Sequence, residues 1–156
     1  MAGFQLFKKD KKERQGDGVH PYVKSELTVL DKTYKLASTA EAIWLFIKVS
    51  DTSSLDVLTV YRLPRRDPVA YAYLLEELEK IATWLYILIM GDFNAPHIDW
   101  SSTCAHSSDL DIDGCLLSTK LKLLLIQNFT FPARVCEAQQ ADCLDLVLMK
   151  SHDSID

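Results

Sequence analysis

The chain has 156 residues, of which 48% are hydrophobic and 25% are charged, and its net charge is −5. This composition is typical of a globular protein and excludes a chain that is disordered throughout. The acidic balance argues against tight, autonomous binding of nucleic acid, since contacts to phosphate supply most of that affinity. The length predicts one domain, which we place at residues 1–150, followed by a tail at residues 151–156.

The sequence shows no feature of secretion or of membrane insertion. A basic run rather than a cleavage site follows the apolar residues 1–7. The longest apolar stretch, Trp84–Met90, is much shorter than the about 20 residues that cross a bilayer. These features predict an intracellular protein, cytoplasmic or nuclear, without membrane association. Four cysteines, none in a CxxC pair, are interpreted as reduced structural residues rather than zinc ligands: Cys104, Cys115, Cys136 and Cys143.

The first half of the chain is predicted to consist of strands. Phe4–Phe7 and Val19–Val23 flank a charged segment with a glycine turn, as in a hairpin. Leu27–Leu30 is a candidate for a further short strand. Ile43–Val49 and Leu55–Tyr61 are rich in β-branched and aromatic residues, which favours two longer strands.

The second half mixes both types of element. Val69–Thr83 carries apolar residues at helical spacing, and the continuous apolar run Tyr86–Met90 is typical of a strand buried on both faces. A long polar connection, Asn94–Asp113, precedes a second predicted helix at Leu116–Ile126. Leu144–Met149 is the last predicted strand. Strands and helices that mix without a strict alternation predict a layered α/β fold.

The segment most informative about chemistry is Gly91-Asp92-Phe93-Asn94, which directly follows the predicted strand Tyr86–Met90. In an extended chain, the side chains of Asp92 and Asn94 would point to the same side. A carboxylate can take a proton from water or hold a cation, and an amide can donate to a phosphoryl oxygen. The same residue types also suit a simple turn after a strand, so the four residues alone leave both interpretations open.

Four segments of the chain carry blocks that can be compared with known families. Tyr86–Trp100 is YILIMGDFNAPHIDW, and Leu58–Asp67 is LTVYRLPRRD. Gly3–Val23 has the composition of a basic, glycine-containing hairpin, and Leu144–Lys150 is LDLVLMK. In order and spacing, these blocks resemble the endonuclease domain of LINE-type (non-LTR) retrotransposons, a branch of the endonuclease/exonuclease/phosphatase superfamily.

The resemblance implies a fold, an activity and a set of site residues. The implied fold is a four-layered α/β sandwich, in which two packed sheets are flanked by helices, here incomplete. The implied activity is hydrolysis of a phosphodiester bond in DNA with Mg²⁺ as cofactor. By motif, Asp92 would orient or deprotonate the attacking water, Asn94 would bind the scissile phosphate and Tyr61 would stabilise developing charge. Asp145 matches the acidic residue of the late block, with a less defined role.

Basic residues beside this predicted site are candidates for binding DNA phosphates. Arg62, Arg65 and Arg66 follow Tyr61 in a proline-containing loop, and arginine suits bidentate contact with phosphate. Simple solvation of these arginines is equally compatible with the sequence. His97 also lies near the motif, but its neighbours favour packing within the loop.

Two blocks of the family pattern are not found in the chain. The early Asn and the metal-binding Glu of the pattern would precede Gly3, and the late Ser-Asp-His block would follow the last strand. Ser151-His152-Asp153 comes too soon and in a different order, so it is interpreted as a solvated tail. The resemblance therefore implies a domain truncated at both ends, with no metal ligand retained, that is inactive or impaired. The alternatives are a non-catalytic fragment that acts at most as a binding module, and a phosphatase of the same superfamily.

Overall fold

The computed structural model has a six-stranded mixed sheet with two helices packed on one of its faces. The structure describes residues 3–9, 19–37, 41–51, 53–62, 68–84, 86–106, 111–128 and 145–150. Among these residues, no helix is long and apolar enough to cross a membrane. The elements are β1 (Phe4–Leu6), β2 (Tyr22–Lys24), β3 (Thr28–Asp31), a short 3-10 helix (Thr33–Lys35), β4 (Glu41–Lys48), β5 (Ser54–Tyr61), α1 (Pro68–Ile81), β6 (Ile87–Asp92), β7 (Ile98–Asp99), β8 (Cys104–Ala105), α2 (Ile112–Lys122), β9 (Leu125–Gln127) and β10 (Asp145–Lys150).

The large sheet has the strand order β3-β4-β5-β6-β10-β9. β5 and β6 are parallel, whereas the other neighbouring strands are antiparallel. A parallel pair needs a crossover connection, and α1 provides it between β5 and β6. The predicted α/β class is confirmed, and the parallel pair at the centre brings the ends of β5 and β6 to the same edge of the sheet.

Alternate residues of the central strands supply two apolar clusters, one on each face of the sheet. On β6, Ile87 and Ile89 pack into the larger cluster under both helices, whereas Leu88 and Met90 border the smaller cluster. This alternation is the pleat of a strand. The β1–β2 ribbon, which is the predicted N-terminal hairpin, joins the second face through Val23. Burial of β6 on both faces agrees with the prediction, although Leu88 and Met90 are only partly buried.

Two segments differ from the sequence prediction. The second helix ends at Lys122 rather than at Ile126, because Leu124 has a left-handed backbone with a φ of 54° that stops the helix. Strand β9 then pairs with β10 and buries Leu125 in the core. The connection predicted at Asn94–Asp113 contains the two-stranded ribbon of β7 and β8. Both differences depend on pairing between segments, which the local spacing of apolar residues does not reveal.

A buried ion pair connects Lys32, which follows the edge strand β3, with Asp56 on the inner strand β5. Lys32 follows β3, and its Nζ lies 2.9 Å from Oδ1 of Asp56. Nε1 of Trp44 donates to the same oxygen at 2.7 Å. The ammonium lies 4.4 to 5.0 Å from the ring centroids of Trp44, Phe46 and Trp84, which adds cation–π attraction. Because Lys32 and Asp56 are 8% and 4% exposed, neither charge is well solvated without the other.

Replacing Lys32 with methionine is expected to lower the free energy of unfolding by roughly 3 kcal/mol, since it leaves the carboxylate of Asp56 buried without its cation. Urea denaturation followed by circular dichroism measures this loss. Lys80→Met is the matched control, because Lys80 pairs with Glu76 at 3.8 Å on the exposed surface of α1. Such pairs contribute at most about 1 kcal/mol. A loss in Lys32→Met no larger than that of the control would contradict the importance of the buried pair.

Candidate active site

Three residues predicted to be catalytic lie at the same level of three neighbouring strands. Tyr61 is the last residue of β5, Asp92 is the last of β6 and Asp145 is the first of β10. Asp92 is the register partner of Tyr61 in the parallel pair and of Asp145 in the antiparallel pair. Neighbouring strands lie about 5 Å apart, so strand pairing brings together residues that are distant in sequence. Tyr61 and Asp92 are partly buried.

Gly91 allows the ends of β5 and β6 to approach closely. Its backbone φ is 134°, and a Cβ at this position would lie 1.8 Å from the carbonyl oxygen of Val60. Val60 and Gly91 are register partners, one step before the pair Tyr61 and Asp92. Only glycine, which has no Cβ and tolerates positive φ, fits this position. Gly91 is therefore required because it lets β5 and β6 lie close enough to pair Tyr61 with Asp92.

The chain turns sharply after Asp92. Asn94 has a left-handed backbone with a φ of 45°, which asparagine adopts more readily than most residues. Its N–H donates to Oδ1 of Asp92 at 2.9 Å, and its Nδ2 donates to the carbonyl oxygen of Arg62 at 2.5 Å. The assumption that Asp92 and Asn94 lie along an extended strand is therefore wrong. They are held together instead by a direct hydrogen bond across the turn.

Arg62, which directly follows β5, forms hydrogen bonds with this turn. Its Nη1 donates to the carbonyl oxygens of Phe93 and Asn94, both at 2.7 Å. The guanidinium lies 4.7 Å from the ring centroid of Tyr71 on α1, and Nη1 lies 3.7 Å from Oδ1 of Asp113 on α2. Burial raises the pKa of Tyr71, and the nearby Arg62 charge opposes that shift only in part. The hydroxyl of Tyr71 is thus neutral, beside the buried pair of Arg62 and Asp113.

A pocket of about 180 Å³ opens beside the turn. Arg62 and Asn94 line it on one side, and His97, Asp111 and Asp113 line it around the start of α2. The backbone N–H of His97 donates to Oδ2 of Asp113 at 3.2 Å, whereas His97 as a whole is exposed. The backbone of His97 is therefore held within the loop, as predicted, whereas the residue remains exposed. The guanidinium, amide and carboxylate groups give the pocket both donors and acceptors.

A model of one protein family, described as endonuclease-reverse transcriptase, matches residues 55–156. The chain belongs to this family. The matched range contains all of β5 except Ser54, together with the motif and the three residues aligned at the strand ends. The resemblance to retrotransposon endonucleases that the motifs predict is thereby confirmed.

One solved structure supports the fold of this family member. The endonuclease domain of TRAS1, a telomere-specific non-LTR retrotransposon, matches with a TM-score of 0.69 and 16% identity, over 96% of this chain and 68% of that chain. At that identity the match shows the fold alone. A functionally unknown conserved protein from Enterococcus faecalis V583 matches with a TM-score of 0.48 and 18% identity, over 94% of this chain and 65% of that chain. No curated protein matches the sequence.

Of the three predicted phosphate-binding arginines, one lies among the described residues. Arg62 is described, whereas Arg65 and Arg66 lie outside the described residues, as does the predicted tail at residues 151–156. Because Arg62 is engaged with backbone carbonyls, its contact with phosphate stays a prediction. The sequence prediction does not include Asp113, since its relation to Arg62 arises only when α2 packs on the sheet.

The family resemblance implies Mg²⁺ at this site. In the described part of the chain, no group of three or more His, Cys, Asp or Glu residues is placed to hold a metal ion. Asp92 and Asp145 are register partners, so their backbones lie at one level of the sheet. Mg²⁺ is commonly held by one or two carboxylates together with water and substrate phosphates. Binding of an ion shared with the substrate at this level of the sheet therefore stays a prediction of the resemblance.

Proposed function

We propose that the chain is a Mg²⁺-dependent endonuclease of a non-LTR retrotransposon that hydrolyses phosphodiester bonds in DNA. The observation that carries the proposal is the register of β5, β6 and β10, which places Tyr61, Asp92 and Asp145 at one level. Asn94 follows in the turn that is bonded to Asp92. Phosphodiester hydrolysis needs a positioned water, donors to the phosphate oxygens and positive charge. Family membership and the fold shared with the TRAS1 endonuclease domain agree with this chemistry.

Asp92 is the group that orients the attacking water and takes its proton. Oδ1 of Asp92 accepts the N–H of Asn94 at 2.9 Å, which fixes the orientation of the carboxylate. A carboxylate has several acceptor sites, so it can accept a hydrogen bond from water at the same time. Partial burial strengthens this interaction relative to one in bulk water.

Asn94 and Tyr61 supply donors to the phosphate. Nδ2 of Asn94 carries two hydrogens, and one of them is directed at the carbonyl oxygen of Arg62. In the proposed complex, the other donates to a non-bridging oxygen. Tyr61 lies beside Asp92 in the sheet, and its hydroxyl is a second donor. Donors held in place before the reaction stabilise developing charge without reorganisation. When bound, Mg²⁺ supplies positive charge against the phosphate.

Supercoiled plasmid is expected to be nicked slowly by the purified chain in Mg²⁺ and not at all in EDTA. Turnover is expected to be slow because, among the described residues, no group of three or more candidate ligands is placed to hold Mg²⁺ before substrate phosphate arrives. The rate is measured as the appearance of relaxed circles on a gel.

The same preparation separates the two alternative functions. Hydrolysis of a phosphate monoester or an inositol lipid, with the plasmid left supercoiled, would favour a phosphatase. DNA binding in a mobility-shift assay without hydrolysis of either substrate would favour a non-catalytic binding module. Either result would contradict the proposed endonuclease.

We also propose the four-layered arrangement in which two packed sheets are flanked by helices. Its support is the apolar cluster on the sheet face opposite the helices, which includes Val23 of the β1–β2 ribbon and against which the partly buried Leu88 and Met90 pack. A further layer of strands on that face would complete the burial of these side chains, and burial of apolar surface contributes about 25 cal/mol per Å².

A further inference from the structure

We propose that Arg62 and Asp113 form a positioning pair that sets the turn at residues 93–97 and thereby orients Asn94 and Asp92. The inference rests on the proposed function for the role of the turn in catalysis, and on the structure alone for the pair itself. In this inference Arg62 positions the turn, instead of making the predicted contact with DNA phosphate.

Arg62 holds the first half of the turn. Its Nη1 donates to the carbonyl oxygens of Phe93 and Asn94 at 2.7 Å each, and its own carbonyl oxygen accepts from Nδ2 of Asn94 at 2.5 Å. Carbonyls in a partly buried turn have no partner in a helix or sheet ladder, so they need one from elsewhere. A charged donor makes the stronger hydrogen bonds. Arg62 is therefore bonded to the turn through both its side chain and its backbone.

Asp113 holds the second half of the turn. Its Oδ2 accepts the backbone N–H of His97 at 3.2 Å, while its Oδ1 lies 3.7 Å from Nη1 of Arg62. The side chains of Arg62 and Asp113 are 13% and 6% exposed, so water screens their charges little. Since Arg62 follows a strand and Asp113 belongs to α2, the pair connects the sheet with the helical layer through the turn.

The conformation of Asn94 explains why the turn needs this support. Its φ of 45° lies in the left-handed region, and such conformations persist only where the surrounding structure imposes them. Three hydrogen bonds hold Asn94, one from its N–H to Asp92 and two that involve Arg62. Loss of the guanidinium is therefore expected to release Asn94 and, with it, the hydrogen bond that orients Asp92.

The ring of Tyr71 explains why an arginine occupies the position. The guanidinium lies 4.7 Å from the ring centroid, and a planar cation stacks on an aromatic face. This contact restrains the guanidinium, whose Nη1 donates to the two carbonyls. A lysine at Arg62 keeps the charge but loses the planar group that contacts the ring and donates to the two carbonyls from one nitrogen.

Native-state hydrogen exchange measured by NMR on the full chain tests the pair directly. The amides of Asn94 and His97 both donate to aspartate side chains, so they report the two halves of the turn. We expect Arg62→Ala and Asp113→Ala to accelerate exchange of both amides by about tenfold or more, and Arg62→Lys by a smaller factor. Amides of β4 and β5 are expected to keep their protection. Lys122→Gln, which removes an exposed 2.8 Å ion pair between α2 and α1, is the matched control and leaves both rates unchanged.

Unchanged exchange at Asn94 and His97 in a folded Arg62→Ala chain overturns the inference. If Arg62→Ala does not fold, Arg62→Lys decides the question, because it preserves the charge and removes the planar guanidinium that contacts Tyr71 and donates to the two carbonyls. Acceleration in Arg62→Lys supports the pair, and wild-type exchange rates overturn it.

Nicking kinetics then separate positioning from phosphate binding. A positioning pair lowers kcat in both Arg62→Lys and Asp113→Ala, with little change in KM. A phosphate contact raises KM in the Arg62 variants and not in Asp113→Ala, and in Arg62→Ala, which removes the charge, it also reduces the salt dependence of DNA binding; this pattern overturns the assignment. Failure of the proposed function shows as absence of nicking by the unaltered chain, in which case the exchange rates still decide whether the pair sets the turn.

Discussion

Asp92→Asn is expected to slow Mg²⁺-dependent nicking of supercoiled DNA by about 10²–10⁴-fold, the usual loss when a general base is removed. Asparagine retains an oxygen that accepts the N–H of Asn94, which Asp92 now accepts at 2.9 Å, so the turn is preserved. The amide cannot take a proton from water. Initial rates of relaxed-circle formation measure the loss, and circular dichroism shows whether the variant is folded.

Asp99→Asn is the matched control for that experiment. Asp99 lies in the connection that follows the motif, and hydrogen bonds from the side chains and backbones of Ser101 and Ser102 hold its pKa well below the usual range. The substitution therefore removes one negative charge from the same loop without changing the proposed site, and nicking is expected to continue at the wild-type rate. An unchanged rate in Asp92→Asn, or an equal loss in both variants, would contradict the assigned role of Asp92.

Gly91→Ala is expected to lower the free energy of unfolding by about 4 kcal/mol or more, a loss that is exceptional for one substitution and that a severe steric conflict produces. The added Cβ would lie 1.8 Å from the carbonyl oxygen of Val60. That oxygen belongs to the backbone of β5, so no side-chain rotation relieves the conflict and the two strands must separate. Urea denaturation measures the loss. If the variant folds, we also expect slower nicking, because separation of the strands displaces Asp92 from Tyr61.

Gly3→Ala separates the steric conflict from the cost of positive φ. Gly3 has a φ of 90°, and nothing lies within 4 Å of a Cβ built on it. A left-handed conformation in a residue with a side chain costs roughly 1–2 kcal/mol, which is the loss expected for this control. Equal losses in Gly3→Ala and Gly91→Ala would show that backbone conformation alone, rather than the approach of β5 and β6, requires the glycine.

The sequence by itself determined the elements whose signals are local. The apolar spacing of α1 and the β-branched runs of β4 and β5 place those elements within two residues of their observed bounds. The motif at Gly91–Asn94 and the blocks around it were enough to indicate the family, because each block is a short contiguous segment. Helical and strand preferences depend on neighbours a few residues away, so they can be read from a single chain.

The tertiary structure alone decided which residues meet at the site. The alignment of Tyr61, Asp92 and Asp145 follows from strand register, and the partnership of Arg62 with Asp113 follows from the packing of α2 on the sheet. Strand β9 likewise exists because β10 pairs with it. None of these relations has a local signature, since the free energy of a contact between distant segments depends on how the whole sheet and its helices pack. The sequence therefore indicated the chemistry, while the fold determined the geometry that positions it.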